Sequence, residues 1–130
     1  MNLRDEFLSA EIKPRAQKKI KNPPKAVKTG GNYMIIVHAY VELKEGKETA
    51  FISAAKNCIE ETRKESGNIS YELNTSIESA SKLIFVEKWQ SREALTAHTK
   101  TEHYLKFKEV SADFRAKPSS VEIYTSELSE

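Results

Sequence analysis

VEKWQSREALTAHTKTEHYLKFKEV, residues 86–110, runs from the end of a strand through two helices. Leu83, Phe85, Glu87 and Trp89 alternate with Ile84, Val86 and Lys88, the period of two that marks a β-strand. Ser91 stands where a helix N-cap belongs, with Glu93 in the first turn, where the helix dipole favours a carboxylate. Ala94, Leu95 and His98 follow at helical spacing. Thr101 reads as a second cap, and His103, Tyr104, Phe107, Val110 and Phe114 make the stripe of another helix. One strand and two short helices thus gather Trp89, His98 and His103, and chemistry is expected beside them.

Upstream, Tyr33 to Leu43 is the clearest strand. Ile35, Val37, Ala39, Val41 and Leu43 form a wholly apolar face, and Met34, Ile36, His38, Tyr40 and Glu42 a mixed one. A strand apolar on both faces is covered on both sides, here by helices on one side and a second sheet on the other. A domain this small has no second sheet of its own, so a partner subunit is expected. Lys44-Glu45-Gly46 turns into a helix whose apolar stripe is Ala50, Phe51, Ala54, Ala55, Cys58 and Ile59. Cys58 on that stripe reads as a packing residue. Gly67 suits a left-handed C-cap. Ile69, Tyr71 and Leu73 then alternate as a half-buried strand. Downstream, Pro118 breaks the last helix, and Val121, Ile123 and Thr125 close the chain as a strand. The order β-α-β-β-α-α-β is α+β, the ferredoxin-like split βαβ with its second helix broken in two.

The 130 residues predict one globular domain with a thin stability margin that self-association would help. Residues 1–31 hold eight Lys/Arg against three acids, a net +5, and the remaining 99 residues carry −3. The expected division is a basic N-terminal arm over 1–31, a short helix on Leu3, Phe7, Leu8 and Ile12 plus a Pro- and Gly-containing linker, and a folded domain over 32–130. The domain's mild acidity argues against a nucleic-acid partner. No apolar run approaches the roughly 20 residues that span a bilayer, so no membrane partner is expected. The lone cysteine and the lack of a secretory signal pattern point to the cytoplasm.

Several chemistries fall away on spacing. There is no GxGxxG or P-loop, and Gly30-Gly31 precedes a strand. His98 and His103 are five apart, not the three or four that align ligands on one helix face, and no neighbouring cysteine or carboxylate pair joins them, so no metal is expected. No nucleophile elbow is visible. The residues offer instead an apolar pocket rimmed by Tyr71, Trp89, His98, His103 and Tyr104. Such a pocket suits a flat aromatic or carbonyl-bearing ligand, with a histidine to hold or move one proton. The same histidines would equally serve as helix caps, Trp89 as core, and Tyr71 as packing.

The run Glu87, Trp89, Ser91, Ala94, Leu95, His98, Thr101, His103, Phe107 resembles the signature of the antibiotic biosynthesis monooxygenase family, including quinol monooxygenases. Glu65, Gly67, Asn68 and Tyr71 resemble that family's E-x-G-N/C-x-x-Y stretch, and Gly46 its Pro-Gly helix entry, with Glu45 replacing the proline. The resemblance spans Tyr33 to about Leu128. It implies a homodimer whose sheets face each other as an α+β barrel, with one pocket per subunit. It implies oxidation of a quinol or other small aromatic by dioxygen, without flavin, haem or metal. On that basis His98 or His103 removes a phenolic proton, Asn68 or Tyr71 steadies the oxyanion, and Trp89, Tyr104 and Phe107 hold the ring. Haem-degrading relatives use an Asn, a Trp and a His where this chain has Ala39, His98 and Lys108, which argues against haem. An isomerase of a phosphorylated signal resembles the chain over His98 to Tyr104 and is the enzymatic alternative. A non-catalytic dimeric ligand-binding or stress protein is the other.

Overall fold

In a computed structural model, residues 13–14 and 33–129 are described. The elements are β1 (Lys13–Pro14), β2 (Tyr33–Glu42), α1 (Glu48–Arg63), β3 (Asn68–Thr75), β4 (Lys82–Trp89), α2 (Arg92–His98), α3 (Glu102–Ser111), a 3₁₀ turn (Ala112–Phe114) and β5 (Ser120–Glu127). From β2 onward this is the ferredoxin-like order expected from the residue periodicity. The sheet runs β1-β5-β2-β4-β3, antiparallel throughout except that β1 lies parallel to β5. Lys13 and Pro14 therefore lie in an edge strand opposite Ser120 and Val121, where the sequence suggested the end of a helix. The remainder of the arm and its expected helix lie outside the described residues. No helix among the described residues is long and apolar enough to cross a membrane.

Alternation sorts the sheet into two faces. Ile35, Val37, Ala39, Val41 and Leu43 are buried, as are Leu83, Phe85, Glu87 and Trp89 on β4. α1 and α3 cover this face, and Phe51, Phe85 and Phe107 meet over it with ring centroids 5.3–6.3 Å apart. Burying a large apolar side chain in this way contributes about 1.5–3 kcal/mol. The opposite face carries half-buried Ile36, His38, Tyr40, Ile84 and Val86. There Ile36 pairs across the strands with Tyr124, and His38 with Glu122.

The helix starts are those expected. Ser91 Oγ accepts from the Ala94 amide at 3.1 Å, and Thr101 Oγ1 from the Tyr104 amide at 3.2 Å. Three local expectations are corrected. Gly67 is not left-handed; among the described glycines only Gly46 has positive φ, at 80°, in the turn from Lys44 to Lys47. Gly67 is instead where α2 crosses closely, and an added Cβ would run into Ala94 Cβ. Ile69 is exposed rather than inward, because the β3–β4 register shifts between Asn68 and Ser70 and breaks the alternation. Val110 is exposed, and Phe107 and Ser111 are the buried residues of α3.

Candidate active site

A cavity of about 780 Å³ lies between the sheet and α3. Its wall includes Tyr71, Phe85 and Glu87 from the sheet and Tyr104 and Phe107 from α3. Lys108, Arg115 and Lys117 add positive charge to the same wall. Arg115 is held there by its neighbours: Nη1 donates to Ser111 Oγ at 2.7 Å and Nε to Ser119 Oγ at 3.1 Å, and the guanidinium lies over the rings of Phe51 and Phe107.

Of the expected site residues, Tyr71, Tyr104 and Phe107 line this cavity. The others lie off its wall: His98, His103, Trp89 and Asn68 do not line it. His98 stands behind the wall at 1% exposure, its ring 4.7 Å from Trp89, 5.0 Å from Tyr104 and 5.4 Å from Tyr71. Asn68 spends its side-chain amide on backbone, donating to the carbonyls of Ser70 at 3.1 Å and Lys88 at 3.4 Å, where it stitches the shifted register. Trp89 is fully buried, and its indole Nε1–H donates to Glu87 Oε1 at 3.0 Å.

Glu65, just past the end of α1, joins the two histidines. Its Oε2 lies 2.8 Å from His98 Nδ1 and 2.8 Å from His103 Nε2, so one carboxylate oxygen takes a hydrogen bond from each ring. Burial pushes the Glu65 carboxyl up, but the hydrogen bonds and charges of the two histidines together outweigh it and hold the group below its ordinary value. No carboxylate pair was expected beside these histidines, and the structure brings a single carboxylate to both. The residue that supplies it is 33 positions from His98, and local spacing could not reveal it. Glu65, His98 and His103 are metal-binding residue types, with their ligand atoms within 4.8 Å of one another. Each nitrogen lies at hydrogen-bond distance from the one carboxylate oxygen, so the three side chains also hold one another.

Glu87 is the second residue missing from the expected set. It sits on β4 between Val37 of β2 and Tyr71 of β3, is 4% exposed, and lines the cavity. Burial pushes its carboxyl up; the charge of His98 and the Trp89 hydrogen bond oppose this without cancelling it. A signal was present in the sequence, since an acid on the inward face of an otherwise apolar strand is out of place unless it has a task. Burial, with the nearby Glu87 charge second, also keeps the Tyr71 phenol neutral far above its ordinary range. The wall thus offers aromatic faces, at least one neutral phenol and one carboxyl, backed by an imidazole pair tied to a carboxylate. Such a site can stack a flat ring and exchange protons with it.

Comparison with known proteins gives the same fold. The chain is 34% identical over 95 residues to an uncharacterized protein of Synechocystis sp. (strain ATCC 27184 / PCC 6803 / Kazusa), covering 73% of this chain and 65% of that one. It is 29% identical over 97 residues to the "Putative monooxygenase YcnE" of Bacillus subtilis (strain 168), covering 75% of this chain and all of that one. Among solved structures it is similar to the "Putative antibiotic biosynthesis monooxygenase from Nitrosomonas europaea", with a TM-score of 0.68 and 28% identity over 69% of this chain and 95% of that one. The model of the antibiotic biosynthesis monooxygenase family matches residues 34–110, from the first long strand to the end of the two-helix segment. The chain belongs to the antibiotic biosynthesis monooxygenase family.

Proposed function

We propose that this chain is a monooxygenase that oxidises a small aromatic of the quinol type with dioxygen and needs no bound cofactor. The observation that carries the reading is the aromatic cavity of Tyr71, Phe85, Tyr104 and Phe107, with buried His98 in ring contact behind two of them. A quinol bound there loses a phenolic proton, and the electron-rich phenolate passes an electron to oxygen. The two radicals recombine at ring carbon. Loss of water then leaves one oxygen atom on the ring, and the four electrons come from the substrate and the other oxygen atom leaves as water. The protein's part is deprotonation, orientation and exclusion of bulk water.

His98 and His103 support the chemistry in this reading from behind the wall, where Glu65 links a fully buried ring to one that is 16% exposed. The subunit works as a homodimer in the cytoplasm, its half-buried Ile36, His38, Tyr40 and Val86 face covered by a second copy. The folded unit is the 32–130 domain, with the basic arm of 1–31 appended to it.

Oxygen uptake with a panel of hydroquinones tests the reaction. Uptake that disappears in the His98→Ala/His103→Ala double variant, with the oligomer intact, supports it. No uptake by the wild type with any quinol would sink it. The positive side chains Lys108, Arg115 and Lys117 on the cavity wall favour a second reading, an isomerase of a small phosphorylated molecule. Thermal shifts separate the two: quinols stabilise under the first reading, sugar phosphates under the second. Stabilisation without turnover leaves a ligand-binding protein.

A further inference from the structure

We infer that Glu87 is a catalytic residue of this cavity, the group that takes the phenolic proton from the bound aromatic and returns it to the departing oxygen. The inference rests on the aromatic-oxidation reading above and deepens it. Both expected bases lie off the cavity wall, whereas the Glu87 carboxyl lies on it. Its Oε1 accepts from the Trp89 indole at 3.0 Å, which fixes the carboxyl at the cavity wall. The carboxyl is held on the second strand from the sheet's β3 edge, between Val37 and Tyr71, with little freedom to leave. A hydrogen bond to the tryptophan alone would be a structural reason for the acid. An amide oxygen meets that need equally well, and burial of an ionisable group in this setting costs more than burial of an amide.

The groups that bear on Glu87 come from every packed element. His98 is on α2, Glu65 follows α1, Tyr71 is on β3 and Trp89 on its own strand. Cys58 of α1 and Tyr104 of α3 complete the set. In the proposed step the phenol O–H bond breaks and the Glu87 O–H bond forms. The phenolate electrons go to dioxygen. The Glu87 proton then joins the oxygen that leaves as water, which restores the carboxylate. No outside reductant is needed, because the substrate supplies all four electrons.

The test uses full-length protein and 4-nitrophenol, whose absorbance reports its own ionisation. Bound to wild-type protein, its ionisation midpoint should shift from the value in free solution. In Glu87→Gln that shift should disappear, while binding of the neutral phenol at low pH stays within about threefold. Oxygen uptake with hydroquinone should fall by about 100-fold or more, the usual size of a lost acid–base group. An unchanged spectrum and an unchanged rate in Glu87→Gln would overturn the inference, as would failure of 4-nitrophenol to bind the wild type. If the glutamine variant does not fold, the ¹³C carboxyl resonances of wild-type glutamates decide. A buried carboxyl that titrates differently with ligand bound supports the inference, and none doing so overturns it. A Glu87-dependent shift without oxygen uptake on any quinol would leave the proton-transfer role standing and remove the oxygenase reading.

Discussion

Gly67, in the turn between α1 and β3, lies so close to Ala94 of α2 that an added Cβ would run into the Ala94 methyl. This contact seats α2, and with it His98, against the sheet. Gly67→Ala should therefore destabilise the fold by about 1–3 kcal/mol, the usual cost of forcing extra volume into a packed contact. A thermal melt against wild type measures this. Adding Ala94→Gly should recover part of the loss, beyond the helix-propensity cost of the new glycine. A double variant no better than the single would show that the contact is not the cause.

Glu65 holds two histidines with one oxygen. In Glu65→Gln the amide oxygen can stand where Oε2 stood, but it is neutral, so both hydrogen bonds lose the assistance of the carboxylate charge. The expected loss is about 1–3 kcal/mol in a urea melt at neutral pH. The sign with pH follows from the lowered carboxyl. The wild-type advantage is fully present above the ordinary carboxylate value of 4.5 and is lost as pH falls through the lower folded value. A deficit that stays constant from pH 7 to pH 3 would contradict this.

Glu87 has the opposite sign. Its folded carboxyl is raised above 4.5, so the native state holds its proton longer than the unfolded chain does. Its contribution to stability is most favourable below 4.5 and declines as pH rises through the raised folded value. Glu87→Gln should gain stability relative to wild type across that rise. Paired urea melts at several pH values from 4 to 8 check it; a widening wild-type advantage would refute it.

Cys58 is buried on α1, 3.8 Å from Thr62 Oγ1, and burial pushes its thiol up to about 11. A thiolate is the reactive form, so the native protein should react with a disulfide reagent at pH 7–8 only at its unfolding rate. Fast labelling in native buffer would contradict the assignment of Cys58 to packing.

The uncovered sheet face makes the proposed dimer testable. Ile36→Glu places a charge at its middle, beside Tyr124. Light scattering should show the wild type as a dimer and the variant as a monomer with its secondary structure kept. A monomeric wild type at micromolar concentration would remove the dimer from the proposal.

The sequence by itself determined the order of strands and helices, the N-caps of α2 and α3, and the inward residues of β2 and β4. Alternation in 33–43 and 83–89, and the hydroxyls of Ser91 and Thr101, are local signals that act over a few residues. It also supplied the pocket aromatics Tyr71, Tyr104 and Phe107. What it could not supply is who meets whom. Periodicity says that Glu65, Glu87 and His98 have an inner or outer side, and not that Glu65 reaches across 33 and 38 residues to two imidazoles. Nor does it say that Glu87 faces the cavity while His98 stands behind it. The tertiary structure decided these because they depend on how α2 and α3 settle on the sheet. That placement is set by the sum of many long-range contacts, among them the gap left at Gly67, and by no single stretch of chain.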